Sequence, residues 1–309
     1  MPRIGVVGAT GAVGGVTIEL LAQRGFDDVR LFASARSAGK ELAGRVVEEA
    51  TPEALAAGDL DLCLFSVGTS ASRELLPHAR RGGALCVDKS EAFRLQDGVP
   101  LVVPEVNGRR ALEHDGVIAN PNCSTIPLTL VLRPLHEEAG VRAVRVATYQ
   151  SVSGKGAQRL QQLLDEPPAE HDLWADWAFD GEEFDEEAKI REEARKILEL
   201  PELPITATCV RVPVPVGHAE SVWLETEEPL SPSRARELLA AAPSVRVEDF
   251  PSPGLAAGRD EALVGRIRRD PAAANGLALF LACDNLRKGA ALNAIQIAEL
   301  VLSQRAVAA

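Results

Sequence analysis

No stretch of this 309-residue sequence is long and apolar enough to span a bilayer. Its first apolar run, Ile4-Gly5-Val6-Val7, begins without a charged leader or a cleavage site, so no secretory signal is expected. Basic residues are in deficit: 33 Lys and Arg face 45 Asp and Glu, a formal net charge of -12. A nucleic-acid binder shows a basic face, which excludes a polyanionic partner here. A small anionic substrate stays open, provided that arginines and lysines gather locally. Cysteine is scarce. The five thiols are scattered, and no CxxC or Cys/His spacing frames a metal site. Cys63, Cys86, Cys209 and Cys283 fall in apolar, strand-like runs, where a packed thiol is the expected role. There is no internal repeat and no long low-complexity tract. These absences describe a cytoplasmic protein with reduced thiols.

Hydrophobic residues make up 46% of the chain, enough for one large core or two ordinary domains. The N-terminal pattern is a short strand (3–7), the turn Gly8-Ala9-Thr10-Gly11-Ala12-Val13-Gly14-Gly15, and an amphipathic helix (16–23). Strand, glycine turn and helix form the setting of a dinucleotide fingerprint, here spaced GxxGxxG. Gly8 allows the tight turn, Gly11 the approach of a pyrophosphate, and Gly14 the packing of helix on strand. A second strand (29–33) ends in Ser34-Ala35-Arg36-Ser37-Ala38-Gly39-Lys40. The acid that binds the ribose of NAD is missing there. Two hydroxyls, Arg36 and Lys40 suit a 2′-phosphate, so the cofactor expected is NADP(H). The plainer reading is a solvated polar loop.

Further short strands are expected at 60–65, 84–87, 101–103 and 117–119, with a helix at 71–81 between the first two. Alternation of this kind predicts a parallel sheet, with ligands beyond the carboxyl ends of its strands. Ser66, Gly68, Thr69 and Arg94 all follow strands. Arg94 alone reads as a solvated arginine; with its neighbours it reads as an anion clamp.

The stretch Asn120-Pro121-Asn122-Cys123-Ser124-Thr125 joins the last of these strands to a helical pattern at 126–135. Cys123 thus sits near a helix N-terminus, where a thiolate is favoured, and a thiolate attacks carbonyl carbon. A packed thiol among turn-forming asparagines explains the same residues.

Beyond Cys123 the pattern lengthens. A strand at 141–150 precedes a helix at 155–164, a Pro167-Pro168 break and an acidic segment from Glu170. A charged helix follows at 186–198. Strands at 205–212, 220–225, 264–268 and 277–283, a helix at 233–241 and a closing helix at 290–302 complete a mixed or antiparallel sheet. Arg211 lies inside an apolar strand and needs a carboxylate partner, structural or substrate. His218 follows Gly217, and a Cys and a His distant in sequence can meet in a fold. Glu186 and Lys189, at i and i+3, read on spacing alone as a solvated ion pair.

Taken together, Gly8-Ala9-Thr10-Gly11-Ala12-Val13-Gly14, Ser34-Ala35-Arg36-Ser37-Ala38-Gly39-Lys40, Val103-Pro104-Glu105-Val106-Asn107, Asn120-Pro121-Asn122-Cys123, Ala147-Thr148-Tyr149-Gln150, Cys209-Val210-Arg211-Val212-Pro213, Gly217-His218-Ala219-Glu220 and Asp284-Asn285-Leu286-Arg287-Lys288-Gly289 resemble the aspartate-semialdehyde dehydrogenase family. The resemblance implies that Cys123 is the nucleophile, His218 the general acid/base and Gln150 an orienting residue. It implies that Arg211 grips the substrate carboxylate, Glu186 its amino group, and Arg94 and Lys189 the phosphate, with Asn122 beside them. Thr10, Ala12, Val13, Ser34, Ser37, the loop Ser66-Val67-Gly68-Thr69, Ser153, Gly154 and Asn285 would contact NADP(H). The reaction implied is reversible, NADPH-dependent reductive dephosphorylation of 4-phospho-L-aspartate to L-aspartate 4-semialdehyde. It proceeds through an acyl-thioester and releases phosphate. This is a step toward lysine, threonine, methionine and diaminopimelate.

The fold implied is α/β. A Rossmann-like domain (1–122 with the helix 287–309) accompanies an α+β catalytic and dimerisation domain (123–286) with a mixed sheet, in a homodimer or a dimer of dimers. The nearest rival is N-acetyl-γ-glutamyl-phosphate reductase; Glu186 opposes it, because an acetylated amine carries no charge. A catalytically silent NADP-binding regulator would need the glycine turn alone. Two departures stand out. The segment 167–184 is shorter and more acidic than the family's, in a part commonly used at the subunit interface. Lys155 stands where the family often has a small residue.

Overall fold

The computed structural model describes residues 2–165 and 174–308. The Pro167-Pro168 break and the start of the acidic segment at Glu170 lie outside those residues. The chain divides into two compact units, Met1–Pro121 with Ala290–Ala309, and Asn122–Gly289.

The first unit opens with β1 (Ile4–Val7), α1 (Ala12–Gln23) and β2 (Val29–Ala33). The small hairpin β3 (Glu41–Leu42) and β4 (Arg45–Glu49) follows, then α2 (Pro52–Leu55), β5 (Leu62–Phe65), α3 (Thr69–Arg81), β6 (Leu85–Asp88), α4 (Pro104–Asn107) and β7 (Val117–Ala119). The seven strands form one sheet in the order β3-β4-β2-β1-β5-β6-β7. All its pairings are parallel except β3 with β4. The chain leaves β1 toward β2 on one side and β5 on the other. The crevice beyond β1 is therefore the switch point at which such sheets bind ligands.

Two expectations are corrected here, and one element is new. α1 begins four residues earlier than the sequence pattern predicted, because Gly14 and Gly15 belong to the helix and not to the turn. Residues 101–103 are not a strand but a single bridge, Leu101 to Ala119. Pro100 and Pro104 bound it, and neither has an N–H to extend a ladder. The β3–β4 hairpin went unforeseen. Its two-residue turn is Ala43-Gly44, both at positive φ (50° and 71°). The primed hairpin turn normally advertises itself with asparagine or aspartate before glycine, and alanine carries no such signal.

The second unit contains α5 (Thr125–Ala139), β8 (Val141–Gln150), α6 (Ala157–Asp165), α7 (Asp185–Leu198), β9 (Ile205–Arg211) and β10 (His218–Thr226). It continues through α8 (Pro232–Ala241), β11 (Val245–Val247), α9 (Pro253–Ala256), β12 (Ala262–Asp270) and β13 (Gly276–Cys283). Its sheet runs β11-β12-β13-β10-β8-β9. β8 with β9 and β11 with β12 are parallel, and the rest is antiparallel, so the sheet is mixed as expected. The helix expected at 155–164 is instead a 3₁₀ turn, Val152–Lys155, followed by α6. Gly156 separates them with a φ of 95°, which no helix continues through.

After a turn at Arg287–Ala291, the chain returns to the first unit as α10 (Leu292–Ala308). Ile295, Ile297 and Val301 of α10 join Ile4, Val6, Leu31, Leu62 and Leu64 in that unit's core.

Candidate active site

In the first unit the site begins with backbone. Gly8 turns at φ 91°, and the N–H groups of Gly8 and Ala9 both donate to Phe32 O. A Cβ on Gly8 would stand 2.4 Å from Ser66 O, and one on Gly14 only 2.3 Å from Gly8 O. Both glycines are therefore demanded by close approach of main chain. Gly11 caps α1 with no side chain on the helix's free N–H groups, and no acid occupies the first turn. Such an open helix N-terminus is built for a phosphate. Thr10 and Gly11 are exposed, Ala12 and Val13 half-buried. Ser66 N donates to Val7 O, which sets the loop Ser66 to Thr69 beside the glycine turn. Gly68 caps α3, again without a side-chain cap. After β2 the chain folds back through Ser37 N to Ser34 O, with Ser34 and Arg36 exposed. No carboxylate stands in the segment 34–40, so these residues fit the 2′-phosphate of NADP. Arg94 is buried, its Nε donating to Asn120 O (3.1 Å) and Nη2 to Lys89 O (2.6 Å).

The second unit brings together most of what the sequence singled out there. Cys123 Sγ lies 3.2 Å from His218 Nε2. Cys123 is half-buried and the other four cysteines are buried. Asn122, just before it, is held from three directions. Its N–H donates to Glu193 Oε2 (2.7 Å), its Nδ2 to Glu186 Oε1 (2.9 Å), and its Oδ1 accepts from Ser124 N (2.8 Å). Gln150 Nε2 donates to the same Glu186 oxygen at 3.0 Å. Glu186, 5% exposed, thus ties the nucleophile's turn to the end of β8. Lys189 Nζ, on the same helix, donates to Asp185 Oδ2 at 2.9 Å.

Arg211, 2% exposed, donates from Nη1 to Ser151 O (3.1 Å) and from Nη2 to Asp176 Oδ1 (3.2 Å). Its guanidinium lies 4.4 Å over the Trp177 ring. A Cβ added to Gly154 would meet Arg211 Nη1 at 3.1 Å and His218 Nε2 at 3.5 Å. The imidazole and the guanidinium therefore flank one open spot. Lys155 Nζ donates to Asp176 O (3.0 Å). The two departures noted in the sequence, Lys155 and the acidic segment, meet each other at Asp176.

His218 is sealed from solvent. Burial, with the nearby Arg211 charge, pushes its pKa down to about 3, against a smaller opposing effect of the Gly217 carbonyl. Behind it, Asn285 Oδ1 accepts from Ser151 Oγ (3.0 Å), Ser153 Oγ (3.2 Å) and Gly217 N (2.9 Å). Asn285 and Ser153, expected at the cofactor, have their side chains in this network.

Glu193, Asp176, Ser151 and Glu220 were not read from the sequence. Glu193 lies seven residues after Glu186, on the same helical face, and that spacing was a usable signal. Glu220 is fully buried with neither carboxylate oxygen hydrogen-bonded among the described residues, and burial raises its pKa well above the ordinary carboxylate value.

Residues 3–114 match a family described as semialdehyde dehydrogenase, NAD binding domain, and residues 174–288 one described as semialdehyde dehydrogenase, dimerisation domain. The chain is 46% identical to an aspartate-semialdehyde dehydrogenase of Streptomyces akiyoshiensis, covering 98% of this chain and 99% of that one. The alignment spans 336 positions, more than the 309 residues of this chain, so the relative has residues that this chain lacks. A crystal structure of aspartate semialdehyde dehydrogenase II from Vibrio cholerae, complexed with ASA, superposes with a TM-score of 0.91 at 36% identity, covering 98% of each chain. One of the enzyme with NADP from Candida albicans gives 0.80 at 26% identity, over 99% of each.

Proposed function

The chain belongs to the aspartate-semialdehyde dehydrogenase family, and on that premise we propose that Cys123, His218 and Gln150 carry its chemistry while Arg211, Glu186, Asn122, Arg94 and Lys189 bind its substrate. The enzyme is an NADP-dependent oxidoreductase of amino-acid biosynthesis. It converts 4-phospho-L-aspartate and NADPH to L-aspartate 4-semialdehyde, phosphate and NADP, reversibly.

One observation carries the assignment: the Cys123–His218 contact at 3.2 Å stands beside a buried arginine and a buried carboxylate. The substrate is an amino acid. Arg211 offers a fork to its carboxylate and Glu186 an anion to its ammonium. With both ends held, the Cys123 sulfur attacks the acyl carbon and phosphate departs, leaving a thioester. NADPH, when bound, supplies the hydride that reduces this carbonyl. Gly8, Thr10, Gly11, Ala12 and Val13 would hold its pyrophosphate. Ser34, Arg36 and Ser37 would take the 2′-phosphate, and Ser66, Gly68, Thr69, Ser153, Gly154 and Asn285 complete the contacts. His218 Nε2 faces the sulfur and the oxygen on which charge develops.

Glu186 disfavours the acetylated-substrate rival, since Asn122 and Gln150 both hold it as an acceptor for a cation. Of assemblies, the matched dimerisation domain supports a dimer; a homodimer, or two such dimers paired, is part of this reading, and light scattering separates them. A cytoplasmic location belongs to it too, supported by five cysteines that form no disulfide.

The test is reduction of NADP in the presence of L-aspartate 4-semialdehyde and phosphate, wild type beside Cys123→Ala. Phosphate-dependent turnover, absent from the variant, is expected. Turnover with N-acetylglutamate semialdehyde alone would overturn the substrate, and turnover retained by the variant would overturn the nucleophile.

A further inference from the structure

The nitrogens of Arg211 are used unequally. Nη1 donates to Ser151 O (3.1 Å) and Nη2 to Asp176 Oδ1 (3.2 Å). Nε is buried and has no hydrogen-bond partner among the described residues. In a guanidinium, the Nε–H and one N–H of Nη2 point along the same edge and form a fork for a carboxylate. Here one tooth of that fork is bare and the other holds a single aspartate oxygen. A purely structural ion pair on a side chain only 3% exposed should use both teeth, because a buried donor without a partner is costly.

Asp176 is brought to the arginine by a strap, residues 174–184. Its start is pinned to β9: Trp174 N donates to Arg211 O (3.3 Å) and Arg211 N to Trp174 O (2.7 Å). Its end is pinned to α7. Asp185 N donates to Ala178 O (2.9 Å), and the Glu183 carboxylate accepts from both Nη groups of Arg191 at 2.6 Å. Ala175, Asp176 and Trp177 lie between these clasps, and the Trp177 ring stacks 4.4 Å from the guanidinium carbon. Lys155 reaches the same aspartate. Its Nζ donates to Asp176 O (3.0 Å) and stands 3.3 Å from Asp176 Oδ1. One carboxylate oxygen therefore touches two cations.

We propose that Asp176 stands in for the carboxylate of the substrate: it holds half of the Arg211 fork until an amino-acid substrate displaces it and leaves it to Lys155. The proposal rests on the assignment of Arg211 to the substrate carboxylate.

The charges support an exchange. Two cations, Arg211 and Lys155, face one acid, and a substrate carboxylate supplies the anion that balances them. A carboxylate spanning Nε and Nη2 makes two charge-assisted bonds where Asp176 makes one, so it wins the fork. Asp176 keeps an ion pair afterwards, because Lys155 is already in place. Its side chain is 31% exposed, so leaving Arg211 costs it little desolvation. Until it leaves, the fork is closed, and affinity is reduced by the fraction of molecules in which the fork is open. A ligand without a carboxylate has nothing to exchange for Asp176, so the contact also selects among aldehydes. Lys155 and the acidic segment, the two departures from the family pattern, are thereby two halves of one device.

The test is the KM for L-aspartate 4-semialdehyde in the full-length protein, with NADP and phosphate saturating. Asp176→Asn removes the competing charge, and KM should fall about fivefold, the size of a partly exposed ion pair. Lys155→Ala removes the place to which Asp176 moves. Two carboxylates then share one cation, and KM should rise about fivefold. The double variant has no displaced charge to receive, so its KM should lie below that of the wild type. Trp177 fluorescence gives a reading without turnover. Titration with the semialdehyde in the absence of NADP should saturate at about fivefold lower concentration in Asp176→Asn than in the wild type. A KM in Asp176→Asn at or above the wild-type value makes Asp176 a plain support of Arg211 and overturns the proposal. A double variant as impaired as Lys155→Ala makes Lys155 a substrate contact and overturns it too. Should Asp176→Asn not fold, Asp176→Ser removes the same charge and is read in the same way. Arg211→Leu separates the exchange from the assignment beneath it. An unchanged KM in Arg211→Leu would strike the carboxylate assignment itself. A raised KM there, with Asp176→Asn at the wild-type value, would leave that assignment standing and strike the exchange alone.

Discussion

The two units are equipped for anions by opposite means. The first uses main chain: a glycine turn, two helix N-termini without side-chain caps and a carbonyl brace around Arg94. The second uses buried side chains: Gln150, Glu186, Glu193, Arg211 and His218 are each at most 5% exposed, and each is fixed by a neighbour. Main-chain binding depends on where Cβ atoms are missing. Side-chain binding depends on partners satisfying one another in a medium of low polarity, where an unpaired group is costly. The first kind should fail through shape and the second through charge.

Removing a charge from the second unit should have the largest effect. Arg211→Leu leaves Asp176 without its arginine and the substrate carboxylate without a fork. A loss of about 3 kcal/mol, roughly a hundredfold in kcat/KM, is expected, taken mostly in KM for the semialdehyde. Binding of NADP, followed by fluorescence titration, should stay the same. A shift in NADP affinity as large as that in KM would erase the contrast between the units.

Next in size is a shape change in the first unit. Gly14→Ala sets a methyl 2.3 Å from Gly8 O and 2.7 Å from Ala9 O. Neither backbone atom can yield cheaply, so about 2 kcal/mol of stability should be lost in urea unfolding, together with NADP affinity. Alkylation of Cys123 by iodoacetamide, a property of the second unit, should keep its rate. An unchanged midpoint with full NADP affinity would show that the glycine turn tolerates a side chain.

The gentlest probe is pH. The unfolded chain takes up a proton on His218 near the ordinary imidazole value of 6.5, whereas the folded chain refuses it down to about 3. The contribution is therefore full above about 6.5 and is lost as pH falls through that window, by about 1.4 kcal/mol for each unit once the slope is established. Glu220 has the opposite sign. Its pKa is raised by burial, so its contribution is present below the ordinary carboxylate value of 4.5 and lost as pH rises toward the folded value. Chemical denaturation across pH should show a shallower acid slope in His218→Gln and a shallower slope above pH 4.5 in Glu220→Gln. Slopes identical to wild type would mean that neither group is sealed as tightly as the structure places it.

The sequence by itself determined whatever depends on neighbours in the chain. The run from Gly8 to Gly14 is one contiguous motif, and the strand entering it and the helix leaving it were legible from periodicity. Cys123 was legible as a thiol at a strand-to-helix turn, and the missing acid after Ala33 pointed to NADP. Where local signal misled, the cause was local as well: an apolar triplet fenced by prolines read as a strand, and Ala43-Gly44 hid a hairpin. Only the tertiary structure decided the partners in the second unit. Cys123 meets His218 across 95 residues, and Asn122 meets Glu186 across 64. The i, i+3 rule offered Lys189 to Glu186, and the fold sets Lys189 Nζ 2.9 Å from Asp185 Oδ2. Ser151 carried no signal, because its partners, His218 Nδ1 and Asn285 Oδ1, lie 67 and 134 residues away. Periodicity reports which face of an element is buried; it does not report what lies opposite, and a buried polar group is defined by what lies opposite.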